Sequence, residues 1–273
     1  MRIHRPQARA TRPGAPRRRL AYSALLLVMG CAGGGGFLEP TPAEILRVGI
    51  LADRPPLAYR EGDGWTGLEI DLARLAADDL GMHAEFVELR RGGLLPSLES
   101  GDVDLITSPL SVRAHLPGKI VFTQPFLQVN LQVAIRAAGL AAFENPAEME
   151  KPGARVGFVT NSPGGDYVRE QLPQSAAYAF EDSDGAIRSL RSHRIDFFVH
   201  DGPEMLYHAA RYQPSSLIVL PRILGEENFA WAVNARNTNL ADALNGFLDE
   251  AMAGRNLEIV LDAWLSKRPQ PVE

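Results

Sequence analysis

The stretch Arg47-Val48-Gly49-Ile50-Leu51 is echoed by Arg155-Val156-Gly157-Phe158-Val159, and residues 98–104 (LESGDVD) are echoed by residues 190–196 (LRSHRID). Each copy pairs a short apolar run with a later helix end, a turn and the start of a second apolar run. The repeat predicts two similar α/β lobes. The functional site is then expected in the crevice between them, where the carboxyl ends of parallel strands point.

The pattern within each copy predicts how the lobes are built. A strand predicted over 45–51 is followed by apolar residues at helical spacing over 68–80, which end at Gly81, and by a second strand over 85–89. This βαβ progression favours a mostly parallel sheet flanked by helices. The first lobe is predicted to comprise 45–136 plus 229–273 and the second lobe 137–228, with the two crossovers between them acting as the hinge.

The N-terminus has the pattern of an export signal. Residues 1–30 hold seven arginines and no acidic residue, and the apolar run over 20–29 is too short to span a bilayer. The only cysteine, Cys31, follows this run directly and resembles the lipobox cysteine of bacterial lipoproteins, which predicts lipidation at Cys31. Residues 31–44, with four successive glycines, are then a flexible tether.

Charge and motif content exclude several classes of function. Without residues 1–30 the chain keeps 21 basic and 33 acidic residues, a net charge of −12, which makes nucleic acid a poor partner. The six histidines show no metal-ligand spacing, and no dinucleotide, phosphate-loop or nucleophile-elbow motif occurs. No metal, cofactor or catalytic residue is therefore predicted.

Several stretches, in their order and spacing, resemble the family 3 extracellular solute-binding proteins, which have the type II periplasmic binding fold. The resemblance implies a two-lobed, monomeric clamp that closes on a small solute in the periplasm and presents it to an inner-membrane ABC permease. The matching stretches are 46–49 (LRVG), Pro55-Pro56, 67–72 (GLEIDL), 95–98 (LPSL), 101–105 (GDVDL), 122–126 (FTQPF), 155–157 (RVG), Ile195-Asp196, Asp201 and Ala263-Trp264.

The resemblance also implies which residues contact the solute. Ser108 and Ser111 match hydroxyls that hold a ligand carboxylate in amino-acid binders. Ser162 matches a hydroxyl at a helix N-terminus, beside which Gly164 would let the backbone approach an anion. Asp201 matches the carboxylate that receives a ligand ammonium.

Departures from the family pattern point to an unusual solute. Leu116 stands where the carboxylate-gripping arginine is expected, and Arg54 replaces a stacking aromatic residue, although Tyr59 could supply a ring. Arg54, Arg91 and Arg113 are all predicted on loops that border the cleft. They indicate either an anionic solute or, for each arginine singly, an ordinary pair with a surface carboxylate.

Three functions remain open from the sequence. The leading hypothesis is a non-catalytic, lipid-anchored periplasmic protein, attached to the cell membrane or the outer membrane, that captures a small polar or anionic solute for uptake. The second is a sensor or regulatory module for cell-wall fragments or a protein partner, similar to the binding domain of membrane-bound lytic transglycosylases. The third is a dehydratase-like enzyme, in which Glu204 would be the cleft acid.

Overall fold

The computed structural model describes residues 2–3, 44–52, 54–107, 118–143, 145–212 and 216–265 of the 273-residue chain. Cys31 and the rest of the tether up to residue 43 lie outside the described residues, as does the signal segment apart from residues 2–3. No helix in these ranges is long and apolar enough to cross a membrane.

The described residues form strands and helices that alternate through most of the chain. The strands are β1 (Arg2–Ile3), β2 (Glu44–Ile50), β3 (Tyr59–Glu61), β4 (Gly64–Thr66), β5 (Met82–Glu88), β6 (Leu105–Ile106), β7 (Ile120–Phe122), β8 (Leu127–Arg136), β9 (Arg155–Val159), β10 (Ala176–Phe180), β11 (Phe197–Asp201), β12 (Leu217–Phe229) and β13 (Ala232–Asn234). The α-helices are α1 (Leu68–Asp79), α2 (Leu94–Ser100), α3 (Leu140–Phe143), α4 (Pro163–Gln171), α5 (Ser183–Arg191), α6 (Gly202–Arg211), α7 (Thr238–Ala253) and α8 (Asn256–Leu265). Short 3₁₀ helices cover Arg91–Gly93, Ala137–Gly139 and Pro146–Glu150.

These elements form two α/β lobes, as the repeat predicts. The first lobe is built on a sheet of order β5-β2-β6-β13-β7, and the second on a sheet of order β1-β8-β11-β9-β10 with β12 also paired to β8. In each sheet three adjacent strands pair in parallel, and the strand pairs added at one side are antiparallel. The sheets are therefore mixed, with the parallel core that the βαβ pattern predicts.

The lobes are joined by a ribbon of two antiparallel strands. Strand β8 pairs with β12 from Leu127↔Phe229, in the first lobe's core, to Ile135↔Ile218, in the second lobe's core. Residues 131–135 also pair with β11, so they belong to the second sheet. The sequence-based boundary at residue 136 stays a prediction, because a strand that passes between lobes carries no break in its apolar pattern to mark a boundary.

The repeated motif corresponds to one repeated hydrogen-bond arrangement. Asp104 N donates to Arg47 O in the first lobe and Asp196 N donates to Arg155 O in the second, each at 2.8 Å. The same arginines bind the same aspartates through their side chains, with Nη2–Oδ1 distances of 2.7 and 2.6 Å. The turn before each aspartate contains one residue with positive φ, Gly101 at 86° and His193 at 61°. The two aspartates are therefore structural: each binds an arginine of the strand beside it.

Two elements near the predicted site are absent from the sequence-based prediction. Helix α6 begins directly after β11. Its first residues, Gly202 and Pro203, are typical of a loop, although proline is also favoured in the first turn of a helix. Strand β12 contains Pro221 and Gly225, which interrupt the apolar pattern, and its register shifts between Leu220 and Gly225.

The two equivalent Arg–Asp pairs differ in burial, and this gives a matched test of their stabilities. Asp196 also binds Arg136, a buried arginine, at 2.9 Å, whereas the Arg47–Asp104 pair is partly exposed. We expect Asp196→Asn to lower the free energy of unfolding by about 3 kcal/mol and Asp104→Asn by about 1 kcal/mol, measured by urea denaturation at pH 7. Equal losses of unfolding free energy in the two variants would show that the buried Arg136 adds no stability.

The difference in stability between the wild type and Asp196→Asn should also depend on pH. Burial raises the pKa of Asp196, but Arg155 and Arg136 outweigh burial and leave that pKa lowered. A lowered folded-state pKa stabilises the fold above the unfolded-state pKa, and this contribution is lost as the pH falls through the folded-state value. The stability gap between wild type and Asp196→Asn should therefore narrow on acidification.

Candidate functional site

A cavity of about 380 Å³ lies between the two lobes, a size that suits a small solute. Its walls come from the carboxyl ends of strands and the loops that follow them in both lobes. From the first lobe they are Leu51, Ala52, Arg54, Glu88, Leu89, Arg90, Arg91 and Gly92, and from the second lobe Val159, Thr160, Asn161, Glu181, Asp182, Ser183, His200 and Glu204. We call this space the interlobe cavity.

Arg54 crosses from the first lobe to the second. It lies in the loop after β2 and is 5% exposed. Its Nε donates to Glu204 Oε1 at 2.7 Å, and its Nη2 lies 3.4 Å from Asp201 Oδ2. Glu69, at the start of α1, lies 3.8 Å from Nη1. Burial lowers the pKa of Arg54, but these three carboxylates outweigh it and leave the pKa raised.

Asp201 and Glu204 meet because a strand runs directly into a helix. Asp201 ends β11 and Glu204 lies three residues later in the first turn of α6, so both carboxylates face the same side. Glu204 Oε2 lies 3.0 Å from His200 Nε2, and all three residues are buried. Burial raises the pKa of Glu204, but Arg54 and His200 bring it well below its ordinary value. Glu204 is thus ionised.

Arg91 is the second arginine of the interlobe cavity, and its surroundings differ from those of Arg54. It opens the 3₁₀ helix Arg91–Gly93 and is partly buried. No carboxylate of the described residues forms an ion pair with it. Burial and the nearby Arg54 cation lower the pKa of Arg91 to about 10, so the guanidinium is still charged at neutral pH. Arg90 also lines the cavity but is exposed, so Arg91 is the partly buried cation there that forms no ion pair with a described residue.

The remaining predicted site residues have different positions. Ser162 is the N-cap of α4: its hydroxyl donates to Val159 O and accepts from Gly165 N, so both of its hydrogen-bonding directions are in use. A Cβ at Gly164 would lie 2.5 Å from Val199 O, so glycine allows the close packing of α4 on β11. Ser108, Ser111 and Arg113 lie outside the described residues.

Tyr59 lies at the contact between lobes, not among the described residues that line the cavity. Its ring is 6.1 Å from that of Tyr207 on α6 and 6.2 Å from that of Trp264 on α8. Burial, with smaller effects from Tyr207 and nearby acids, raises the pKa of Tyr59 to about 12. Tyr59 therefore packs one lobe against the other as a neutral side chain.

Some cavity residues were not predicted from the sequence. Thr160 and Asn161 follow β9, and Ser183 begins α5. Asn161 has a positive φ of 50° directly before the α4 N-cap. The sequence places these residues just after predicted strands. Small polar residues are common in such loops, so nothing in the sequence distinguished them from ordinary loop residues.

The site can hold a small solute between two lobes that both contact it. Arg91 supplies positive charge and His200 a buried ring whose Nδ1 has no hydrogen-bond partner among the described residues. Arg54, Asp201 and Glu204 form a buried ion-pair cluster beside the solute space. This arrangement suits binding by charge and hydrogen bonds.

Comparisons with known proteins agree with this architecture. Residues 46–267 match the family model for bacterial extracellular solute-binding proteins, family 3. The chain is 24% identical over 215 residues to a probable histidine-binding protein of Campylobacter jejuni, covering 78% of this chain and 82% of that one. It is 42% identical over 81 residues to membrane-bound lytic murein transglycosylase F of Vibrio vulnificus, covering 27% of this chain and 15% of that one.

A solved structure shows the same fold. It is a putative binding component of an ABC transporter from Wolinella succinogenes complexed with lysine, with a TM-score of 0.77 at 19% identity, covering 82% of this chain and 96% of that one. The predicted type II periplasmic binding fold is therefore confirmed. Because the family model spans most of the sequence, including both lobes, this chain belongs to the bacterial extracellular solute-binding proteins of family 3.

Proposed function

We propose that this protein is a lipid-anchored periplasmic solute-binding protein that captures a small polar or anionic solute in the interlobe cavity for an ABC-type uptake system. The observation that carries the proposal is Arg91, a partly buried cation at the cavity that forms no ion pair with a described residue. The amino-acid solutes in the names of several relatives support a solute of this size.

Burial penalises a charge that has no partner, so an unpaired cation at a cavity indicates that the ligand carries a negative charge. A carboxylate placed beside Arg91 would form a charge-assisted hydrogen bond, with two parallel bonds available from the planar guanidinium. The solute thus supplies the negative charge that the described protein groups do not supply.

Capture of the solute follows because both lobes form walls of the cavity. A solute on Arg91 contacts the first lobe, while Thr160, Asn161 and Ser183 offer polar groups from the second lobe. Contacts from both lobes exist only when the lobes are together, so solute binding favours the closed arrangement.

The partial match to lytic transglycosylase F favours a second candidate function, a sensor or regulatory module that binds cell-wall fragments. A thermal-shift screen of the purified protein against amino acids, dicarboxylates, sugars and muropeptides separates the two. A solute at a hundred times its dissociation constant stabilises the fold by about 2.7 kcal/mol, a clear shift in melting temperature. A shift with muropeptides alone would select the second function.

Arg91→Gln is expected to weaken binding of the solute found in that screen by about 10- to 100-fold, because a charged hydrogen bond contributes roughly 1.5–3 kcal/mol. The variant should keep or exceed the melting temperature of the wild type, since it removes a charge that burial disfavours. Calorimetric titration measures the first effect and thermal melting the second.

The matched control is Arg169→Gln, which removes an exposed arginine paired with Asp166 on α4, away from the interlobe cavity. This variant should bind the solute with wild-type affinity. Unchanged affinity in Arg91→Gln would contradict the proposed role of Arg91.

Lipid anchoring at Cys31 has its own test. In cells labelled with radioactive palmitate, the wild-type protein should incorporate label and sediment with membranes, whereas Cys31→Ser should remain unlabelled and move to the soluble periplasmic fraction. Since Cys31 is the only cysteine, the substitution alters no other thiol. Unlabelled wild-type protein in the soluble fraction would refute the anchor.

A further inference from the structure

Asp201 and Glu204 are the buried acids beside the interlobe cavity. They are 3% and 1% exposed, and both belong to the second lobe. Two carboxylates this deeply buried require a cation, and a solute with an ammonium or guanidinium group would be drawn to them. Arg54 of the first lobe already contacts both, at 2.7 Å from Glu204 and 3.4 Å from Asp201.

Arg54 is fixed in this place by its backbone. Its N–H donates to Ala58 O at 2.9 Å, and its own carbonyl accepts from Ala58 N at 3.0 Å and Leu57 N at 2.6 Å. These hydrogen bonds hold the loop after β2 in a tight turn at Arg54. A solute cation that approached Asp201 Oδ2 and Glu204 Oε1 would therefore meet a side chain whose main chain is held on both sides.

The other charges around the interlobe cavity do not offer an equivalent place for a cation. Glu181 and Asp182 line its rim, but both are exposed, and the Asp182 carboxylate accepts a hydrogen bond from Gly185 N at 2.6 Å. Glu88 pairs with Arg60 at the surface. With Arg54 held against both buried acids, Arg91 is the partly buried cation left to contact the solute among the described residues.

We propose that Arg54 is an internal cation that takes the place of a solute's cationic group, so that the site selects carboxylates without an ammonium group and rejects α-amino acids. This inference rests on the proposed function and names its solute class. Arg54 is then a specificity-determining residue: it fills the acidic part of the site, while Arg91 binds the anion.

A metal ion is the other cation that these acids could take. Donor atoms of His200, Asp201 and Glu204 lie within 4.8 Å of one another. Arg54, however, contacts both carboxylates of this group, so a metal would compete with the guanidinium for the same oxygens. The geometry therefore favours the internal cation.

The specificity test uses acids that differ only by the α-ammonium group. Succinate with L-aspartate and glutarate with L-glutamate form two such pairs for calorimetric titration. The wild-type protein is expected to bind the acid without the amino group at least tenfold more tightly, and Arg54→Ala to reduce or reverse this preference by at least tenfold. A wild type that prefers the amino acids, or an unchanged preference in the variant, overturns the proposal.

A second test needs no solute. Arg54→Ala leaves a space beside Asp201 and Glu204 that ethylguanidinium can fill, so millimolar ethylguanidinium should raise the melting temperature of the variant by several degrees and leave the wild type unchanged. The double variant Arg54→Ala, Glu204→Gln should lose most of this rescue, because one of the two carboxylates is then neutral. Absence of rescue in a variant that retains wild-type circular dichroism overturns the internal-cation role.

Arg54→Lys is a second variant that tests the same role without the space that alanine leaves. It keeps the positive charge, so it should retain the preference for acids without an amino group, although Lys lacks the planar fork of Arg. Loss of that preference in Arg54→Lys would contradict selection by charge. If rescue by ethylguanidinium occurs but wild type binds none of the four acids, the internal cation is supported and the proposed anionic solute is refuted.

Discussion

A guanidinium that is 5% exposed must be surrounded by carboxylates, and Arg54 meets this requirement only when the two lobes are together. Glu69 comes from its own lobe at 3.8 Å, but the closer partners, Glu204 and Asp201, belong to the other lobe. Removing one partner from such a cluster leaves a buried charge uncompensated, a change that typically destabilises by about 3–5 kcal/mol. The relative position of the lobes is thus set largely by one ion-pair cluster at the cavity wall.

The connection between lobes determines how they can separate. Strands β8 and β12 cross together as a hydrogen-bonded ribbon, so opening must bend two paired strands and not two independent linkers. The register shift between Leu220 and Gly225 interrupts the ladder just inside the second lobe, and an irregularity of this kind is where a ribbon bends most readily.

The sequence predicted the features that depend on local patterns. The repeat predicted both lobes because its apolar runs and its Arg47–Asp104 and Arg155–Asp196 pairs recur at the same spacing. It placed Arg54, Arg91 and Asp201 near the cleft because each follows a strand. It did not predict that Arg54 binds Glu204, because a contact across 150 residues between lobes leaves no periodicity in the chain. For the same reason it missed the ribbon, whose pairing joins distant strands.

Arg54 and Arg91 show how one fold can keep its closing motion while its solute chemistry changes. The buried acids Asp201 and Glu204 share one guanidinium, that of Arg54, and Arg91 forms no ion pair with a described residue. In a low-dielectric space the unmatched charge dominates what can enter, because each uncompensated unit charge is far more costly there than at the surface. A single arginine on a fixed loop thereby takes the position of a solute cation beside the acids, without altering the strands, helices or ribbon that join the lobes.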